Sequence, residues 1–329
     1  FTTTGATLYD TPNRLAPSIH LWRALVGWLG GFFVLVSAAA ILAPLNLGGV
    51  EVVSGRQPGR AAAGQIDRVA NPSARLIHHT LLIFPAYAGL TLLLWVALLT
   101  AGERGLNALC YAMSTLSSSG IMPGERLPQS PVGVPTEMLI FLFLFVGITR
   151  RSLPGPVLVD RSRPIWADHE VRLAVAFLIM VPSVLFLRHW AGAIEADDAQ
   201  NLRAALHALW GAVFTTLSFL TTTGFESGGW ASARAWSGLG TPGLILLGLA
   251  MIGGGIATAT GGLKLLRVYA LARHGERELN RLVYPSSIGG GGELRPGPET
   301  VARVRVDGGG GRAPAKWRVA IAGGQAGVR

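Results

Sequence analysis

The sequence predicts an all-α integral membrane protein built from a repeated unit, and three observations carry that expectation. Half of the 329 residues are hydrophobic and 14% are charged, with a mean hydropathy of +0.43, which is too apolar for an average soluble domain. Several stretches reach the roughly 20 apolar residues that a spanning helix needs. A hydroxyl-rich run closed by glycine also occurs three times, as Thr2-Thr3-Thr4-Gly5, Ser117-Ser118-Ser119-Gly120 and Thr221-Thr222-Thr223-Gly224. The closing glycines are 115 and 104 residues apart, and each run leads into a polar loop and an apolar helix. One such run fits an ordinary turn; three similar units at similar spacing indicate a repeat architecture.

Taken in order, Ala6 to His20 holds Pro12 and Pro17 and reads as an external connection. Leu21 to Leu45 is the first inner helix, with Trp22 and Trp28 as interface anchors. Gly27 and Gly31, four apart with Gly30 beside them, match a close helix-packing face. A cytoplasmic loop rich in Gly, Pro and Arg follows to Arg75. The second unit opens with an outer helix from Leu76 to Ala101, kinked at Pro85. His78 and His79 lack nearby further ligands for a metal and are read as interfacial. Arg104 to Leu116 is a half-membrane helix of 13 residues, too short to span. After the serine run come a loop from Pro123 to Pro135 and an inner helix over Thr136 to Thr149.

The third unit has an outer helix from Val171 to Trp190 and a pore helix from Ala199 to Leu220, with Asp197 and Asp198 suited to its N-terminus. His207 within it is expected to be buried, neutral and hydrogen-bonded. In the apolar segment Thr241 to Arg273, nine of the ten residues from Gly253 to Gly262 are Gly, Ala or Thr. Each glycine costs a helix about 1 kcal/mol, so the helix should break there, either as a tight packing face or as an unwound, mobile gating loop, which we favour. Lys264 either faces the pore or snorkels to the interface. Residues 288–329 hold two glycine tetrads and scattered arginines, read as a flexible basic tail or as a stretch outside the native frame. The domains are therefore 1–75, the end of the first repeat; 76–169, the second; 170–287, the third with the glycine-rich break; and 288–329, the tail.

The net charge of +10 and pI near 10.9 would suit a polyanion binder. Fourteen basic residues, however, lie in segments 46–75, 150–172 and 264–281, against six in the loops assigned to the other side. That is the positive-inside bias, and it places the runs toward the outside with no nucleic-acid partner implied. The lone cysteine, Cys110, excludes an intrachain disulfide and a cysteine metal cluster and is read as a packing residue. A membrane-embedded enzyme would need clustered His, Asp or Glu at depth, and the spans are expected to lack buried acidic residues.

Where a helix stops partway through a bilayer, extended backbone is tolerated only in a water-filled path or against protein. Glycine supplies the dihedrals of a tight turn. Backbone carbonyls could then replace the hydration shell of a cation, aided by the negative end of the half-helix. The runs read as an ion filter, and a backbone-lined site alone leaves the ion open.

These runs, with Gly253-Gly254-Gly255 to Gly261-Gly262-Leu263-Lys264, with Trp22-Arg23 to Trp28-Leu29-Gly30-Gly31 and with Leu282-Val283-Tyr284-Pro285, resemble the Trk/Ktr/HKT potassium transporters, most closely the TrkH-like membrane subunits. The resemblance covers residues 1–288. It implies four helix, pore-helix, filter, helix units around one potassium-channel-like pore, of which about two and a half are present here. It further implies potassium uptake across the bacterial inner (plasma) membrane by a multi-pass homodimer in lipid, with no covalently bound cofactor. A cytosolic nucleotide-binding regulatory subunit of TrkA type would sit on the basic face. Carried over, Gly5, Gly120 and Gly224 are filter glycines, and Gly253, Gly254, Gly255, Thr258, Thr260, Gly261, Gly262 and Lys264 belong to the gate. The absence of an initiating Met and the opening within a run mark the chain as a fragment in this reading, and the alternative functions are a non-conducting remnant or an inert packing partner.

Overall fold

The computed structural model describes residues 2–5, 15–42, 72–123, 127–149, 151, 164–192, 199–237, 241 and 243–283. Among them all regular structure is helical. The expectations for Asp197, Asp198, the 43–71 loop and the 288–329 tail lie outside the described residues. The chain divides into two units, Phe1–Glu276 and Arg277–Arg329; of the second, only the end of the last helix is described.

Helix α1 spans Pro17–Ser37 and runs on through one π-helical turn, Ala38–Leu42. It starts four residues before the expected Leu21 because Pro17 fits a first turn, where no N–H is needed. Helix α2, Pro72–Ala101, likewise begins earlier than expected and accommodates Pro85 in its interior. Helix α3, Gly105–Ser117, has the 13 residues anticipated, one position later. Helix α4, Val134–Leu144, tightens into a 3-10 turn over Phe145–Gly147. Helix α5, His169–Gly192, carries Pro182 in its interior, a feature the pattern did not signal. Helix α6, Ala199–Leu220, has the expected bounds. A short α7, Trp230–Ser237, precedes α8, Gly243–Ile252. The chain then leaves the helix and resumes as α9, Leu265–Val283, so the break falls where consecutive glycines make helix costly.

The two helices that end at the second and third runs sit inside. Helix α3 packs against α1, α2 and α4, while α6 packs against α4, α5, α7 and α8. Tyr87, Tyr111, Phe214 and Phe225 are fully buried there, and the rings of Tyr111 and Phe225 meet edge-on at 6.2 Å, joining α3 to the chain after the third run. Cys110 is buried in this core. Outward faces are apolar, as at Leu81, Leu93 and Leu142. Among the described residues three helices are long and apolar enough to cross a membrane: Pro17–Leu42, Ser73–Ala101 and His169–Phe186.

The glycines of α1 do form a packing face. A methyl group on Gly31 would lie 2.7 Å from Ser117 Cβ, and one on Gly27 would lie 2.9 Å from Ile121 Cδ1. The expectation for Trp28 needs correction. Its indole N–H donates to Thr91 Oγ1 at 2.9 Å and its rings stack on Tyr87 at 5.0 Å, so it joins α1 to α2 and does not anchor an interface; Trp22 remains exposed. His207 is exposed, because the buried side of α6 at this level is given to Ala208 and to a backbone contact with Gly229.

Candidate functional site

Helix α3 ends in a Schellman motif: the Ser118 N–H donates to Thr115 O at 3.3 Å, and the Ser119 N–H donates to Ser114 O at 3.0 Å. Helix α6 ends identically, with Thr222 N–H to Phe219 O at 3.0 Å and Thr223 N–H to Ser218 O at 2.8 Å. The motif requires a left-handed residue, and here Ser118 (φ 52°) and Thr222 (φ 58°) supply it in place of the usual glycine. That choice costs about 1–2 kcal/mol per residue, a kind of strain concentrated at functional sites.

All three runs repeat one backbone pattern. The middle residue is left-handed (Thr3, Ser118, Thr222) and so is the glycine (Gly5, Gly120, Gly224), while the residue between is not. Alternation of this kind turns successive peptide planes alike, N–H groups to one side and carbonyls to the other. The N–H groups of Ser119, Thr223 and Gly224 turn back onto the ends of the pore helices. Their carbonyls are thereby directed away from those helices.

The hydroxyls have a specific use. First and third positions bond each other in every run: Thr2 with Thr4 at 2.9 Å, Ser117 with Ser119 at 2.9 Å, and Thr221 with Thr223 at 3.1 Å. The first hydroxyl of the second and third runs also donates into the last helical turn, Ser117 to Met113 O and Thr221 to Leu217 O. Serine and threonine serve equally here, so the serine-rich second run is built as the others are.

The runs converge in chain order. A side chain on Gly5 would run into the Ser119 carbonyl oxygen, and one on Gly120 would run into that of Thr223. At Gly224 (φ 78°) the corresponding space is open. Close approach of neighbouring backbone thus demands glycine at two positions, and backbone conformation favours it at all three.

The 253–264 stretch lies against this cluster. Gly254 and Gly255 meet the carbonyls of Gly147 and Ile148 at the end of the second inner helix, and Gly262 packs on Gly253. Gly255 N–H donates to Gly147 O at 3.1 Å. Thr258 Oγ1 donates to Gly255 O at 2.7 Å and pairs with Thr260 Oγ1 at 2.7 Å. Gly261 N–H donates to Thr222 Oγ1 at 2.7 Å. Close packing and an unwound loop were set against each other by the sequence, but the glycines give both: the helix unwinds, and the unwound backbone is bonded, largely buried over 253–260 and exposed over 261–263. Lys264 is tied to the loop's own Thr260. It is left-handed (φ 78°), and its ammonium turns back to donate to the Thr260 carbonyl and, at 3.2 Å, to Thr260 Oγ1.

Comparison with protein-family models gives no match. Among curated proteins the chain is 30% identical over 289 residues to the Trk system potassium uptake protein TrkH of Salmonella typhimurium. It is 30% identical over 291 residues to the same-named protein of Escherichia coli K12, with 87% of this chain and 56% of each relative covered. Over the matched residues the chain is similar to the TrkH proteins. TrkI of Halomonas elongata is a further relative at 25% identity. The fold agrees with the crystal structure of the potassium transporter TrkH from Vibrio parahaemolyticus, with a TM-score of 0.61 and 24% identity over 87% of this chain and 55% of that one. The chain spans about half the length of the TrkH relatives it matches, and those relatives are transporters, not enzymes.

Four carboxylates, Glu103, Glu137, Asp168 and Glu170, are at most 6% exposed; Glu137 and Glu170 lie within α4 and α5, contrary to the expectation for the spans, whereas Glu103 and Asp168 lie outside the helices. Each is paid for by donors remote in sequence. Glu137 accepts from Trp210 Nε1 at 2.8 Å, Ser227 Oγ at 2.6 Å and Gly228 N–H at 2.7 Å, tying the second inner helix to the third pore helix and the loop after its run. Glu103 accepts from Thr136 Oγ1 at 2.9 Å and from Ser130 Oγ. Asp168 pairs with Arg151 at 3.5 Å. Glu170 accepts from the N–H of Ile256 at 2.7 Å. Among the described residues no group of three or more His, Cys, Asp or Glu is placed to hold a metal.

Proposed function

We propose that the chain contributes walls and gate to a potassium-conducting pore. Thr2 to Gly5, Ser117 to Gly120 and Thr221 to Gly224 line the ion path with backbone carbonyls, and Gly253 to Lys264 closes it from the cytoplasmic side. The observation that carries this reading is the ordered convergence of the runs, Gly5 and Gly120 each abutting the next run's carbonyl, on one alternating backbone pattern. Carbonyl oxygens arranged so can replace a cation's hydration shell. The names of the relatives supply potassium as the ion and the Trk system as the setting. On this reading the protein is a multi-pass protein of the bacterial inner membrane. Its apolar outer faces meet lipid, it forms a homodimer, and a nucleotide-binding subunit of TrkA type docks on the basic cytoplasmic face. Residues 1–75, 76–169 and 170–287 are successive repeats of the pore, followed by the 288–329 tail.

The test is rubidium uptake by a potassium-uptake-deficient bacterium expressing the full-length protein, wild type against Gly224→Ala. The open space at Gly224 accepts the methyl group, while its positive φ does not suit alanine. The variant should reach wild-type abundance in the membrane and lose at least about tenfold in uptake, for a redirected carbonyl costing about 1.4 kcal/mol or more at the ion. Undiminished uptake in the variant, or none in the wild type, would favour the inert packing partner.

A further inference from the structure

Most bonds that hold the 253–264 stretch are made by its own groups or by adjacent backbone. Two differ, because the acceptor is a side chain from another element. Gly261 N–H donates to the Thr222 hydroxyl, and Ile256 N–H donates to the Glu170 carboxylate, both at 2.7 Å. These amides bracket the paired hydroxyls of Thr258 and Thr260. Thr222 is the middle member of its run and lies outside the Thr221–Thr223 pairing, so its hydroxyl is available to the loop. Glu170 is fully buried in the first turn of α5. A carboxylate taken from water needs compensating donors and charge, which the Ile256 amide and the nearby Lys264 provide.

We infer that Thr222 and Glu170 are positioning residues for the gate: two side-chain acceptors, one on the filter and one on the third outer helix, that together hold the loop beneath the runs. The inference rests on the filter-and-gate reading above. Two consequences follow from the geometry. The loop cannot move away without releasing Thr222, whose own peptide belongs to the filter, so opening and filter conformation are linked. Glu170 rides on the N-terminus of α5 beside Asp168, which is paired with Arg151 after the second inner helix; displacement of that helix end is therefore passed directly to Ile256.

Hydrogen–deuterium exchange of full-length protein in lipid nanodiscs, followed over peptides covering 253–264, tests this. Thr222→Val keeps shape and removes the acceptor. It should speed loop exchange about two- to tenfold, the worth of one net hydrogen bond, while the helices Gly105–Ser117 and Ala199–Leu220 exchange as in wild type. Thr222→Ser should restore the wild-type rate. Glu170→Ala should act likewise at the Ile256 end, and Glu170→Gln, which retains an acceptor oxygen, should fall between. Unchanged loop exchange in Thr222→Val overturns the proposal, and so does acceleration that Thr222→Ser fails to reverse; Thr222 decides the matter if Glu170→Ala does not fold. Rubidium flux measured in parallel separates the two readings. Faster loop exchange together with raised flux supports the latch, whereas faster exchange in a protein that carries no rubidium overturns the gate reading on which it rests.

Discussion

At the scale of single residues, the three run glycines look equivalent in sequence and are not equivalent in space. Gly120 is both left-handed and pressed against the Thr223 carbonyl, whereas Gly224 is left-handed with room beside it. Gly120→Ala must displace backbone as well as adopt a disfavoured φ, and should cost about 2–3 kcal/mol or more. Thermal denaturation in detergent should then rank Gly120→Ala well below Gly224→Ala in stability. Glu137 carries a comparable weight by a different mechanism. Removing its carboxylate leaves an indole N–H, a hydroxyl and a backbone N–H without their acceptor, at about 1–3 kcal/mol for each buried donor stranded. Glu137→Ala should lower the melting temperature markedly, and Glu137→Gln much less. Neither inequality was readable beforehand. The three glycines share a motif, and the partners of Glu137 lie 73 to 91 positions away.

Elements were more legible than residues. Apolar length located α1, α2, α5 and α6 but not the 19-residue α9, which carries most of the basic segment 264–281; shortness marked α3 as a half-span, and consecutive glycines marked the interruption between α8 and α9. The errors fell at ends and faces. Prolines at 17 and 72, read as punctuation, begin helices because a first turn needs no N–H there, and Trp28 points at α2, a choice that only packing makes. Glycine use separates the faces of two neighbouring helices. Gly31 in α1 is pressed onto Ser117 of α3, but Gly89 in α2 has nothing within 4 Å. Gly31→Ala should therefore destabilise the protein by about 1–3 kcal/mol. Gly89→Ala should be neutral or stabilising by up to about 1 kcal/mol, both read from thermal unfolding in one detergent.

For the whole molecule, the chain reuses a single construction around one place. Two pore helices end in the same cap, three runs share one dihedral pattern, and the second inner helix supports the interruption in the third. The repeat was visible in the sequence because it rests on short local motifs. The ties made by Glu103, Glu137 and Glu170, of which that of Glu137 joins the second repeat to the third, were invisible because each carboxylate meets donors 27 to 91 positions away. Cys110, the sole cysteine, sits in the shared core with no exposed surface. A maleimide should therefore fail to label the protein in intact membranes and label it fully once denaturant unfolds it, so that thiol labelling follows the cooperative loss of the helical core.

The pairing of alternate hydroxyls alters what counts as a signature. Since only the first and third side chains bond each other, the informative spelling is hydroxyl, any residue, hydroxyl, glycine, and a search for three consecutive threonines would overlook the serine run while demanding too much of the others. The same spelling occurs once more, in Thr258-Ala259-Thr260-Gly261, where the hydroxyls pair as well but left-handed φ falls at Ala257 and Gly262. The four-letter word thus identifies a local brace, and the identity of what is braced is decided by whether a helix ends immediately before it.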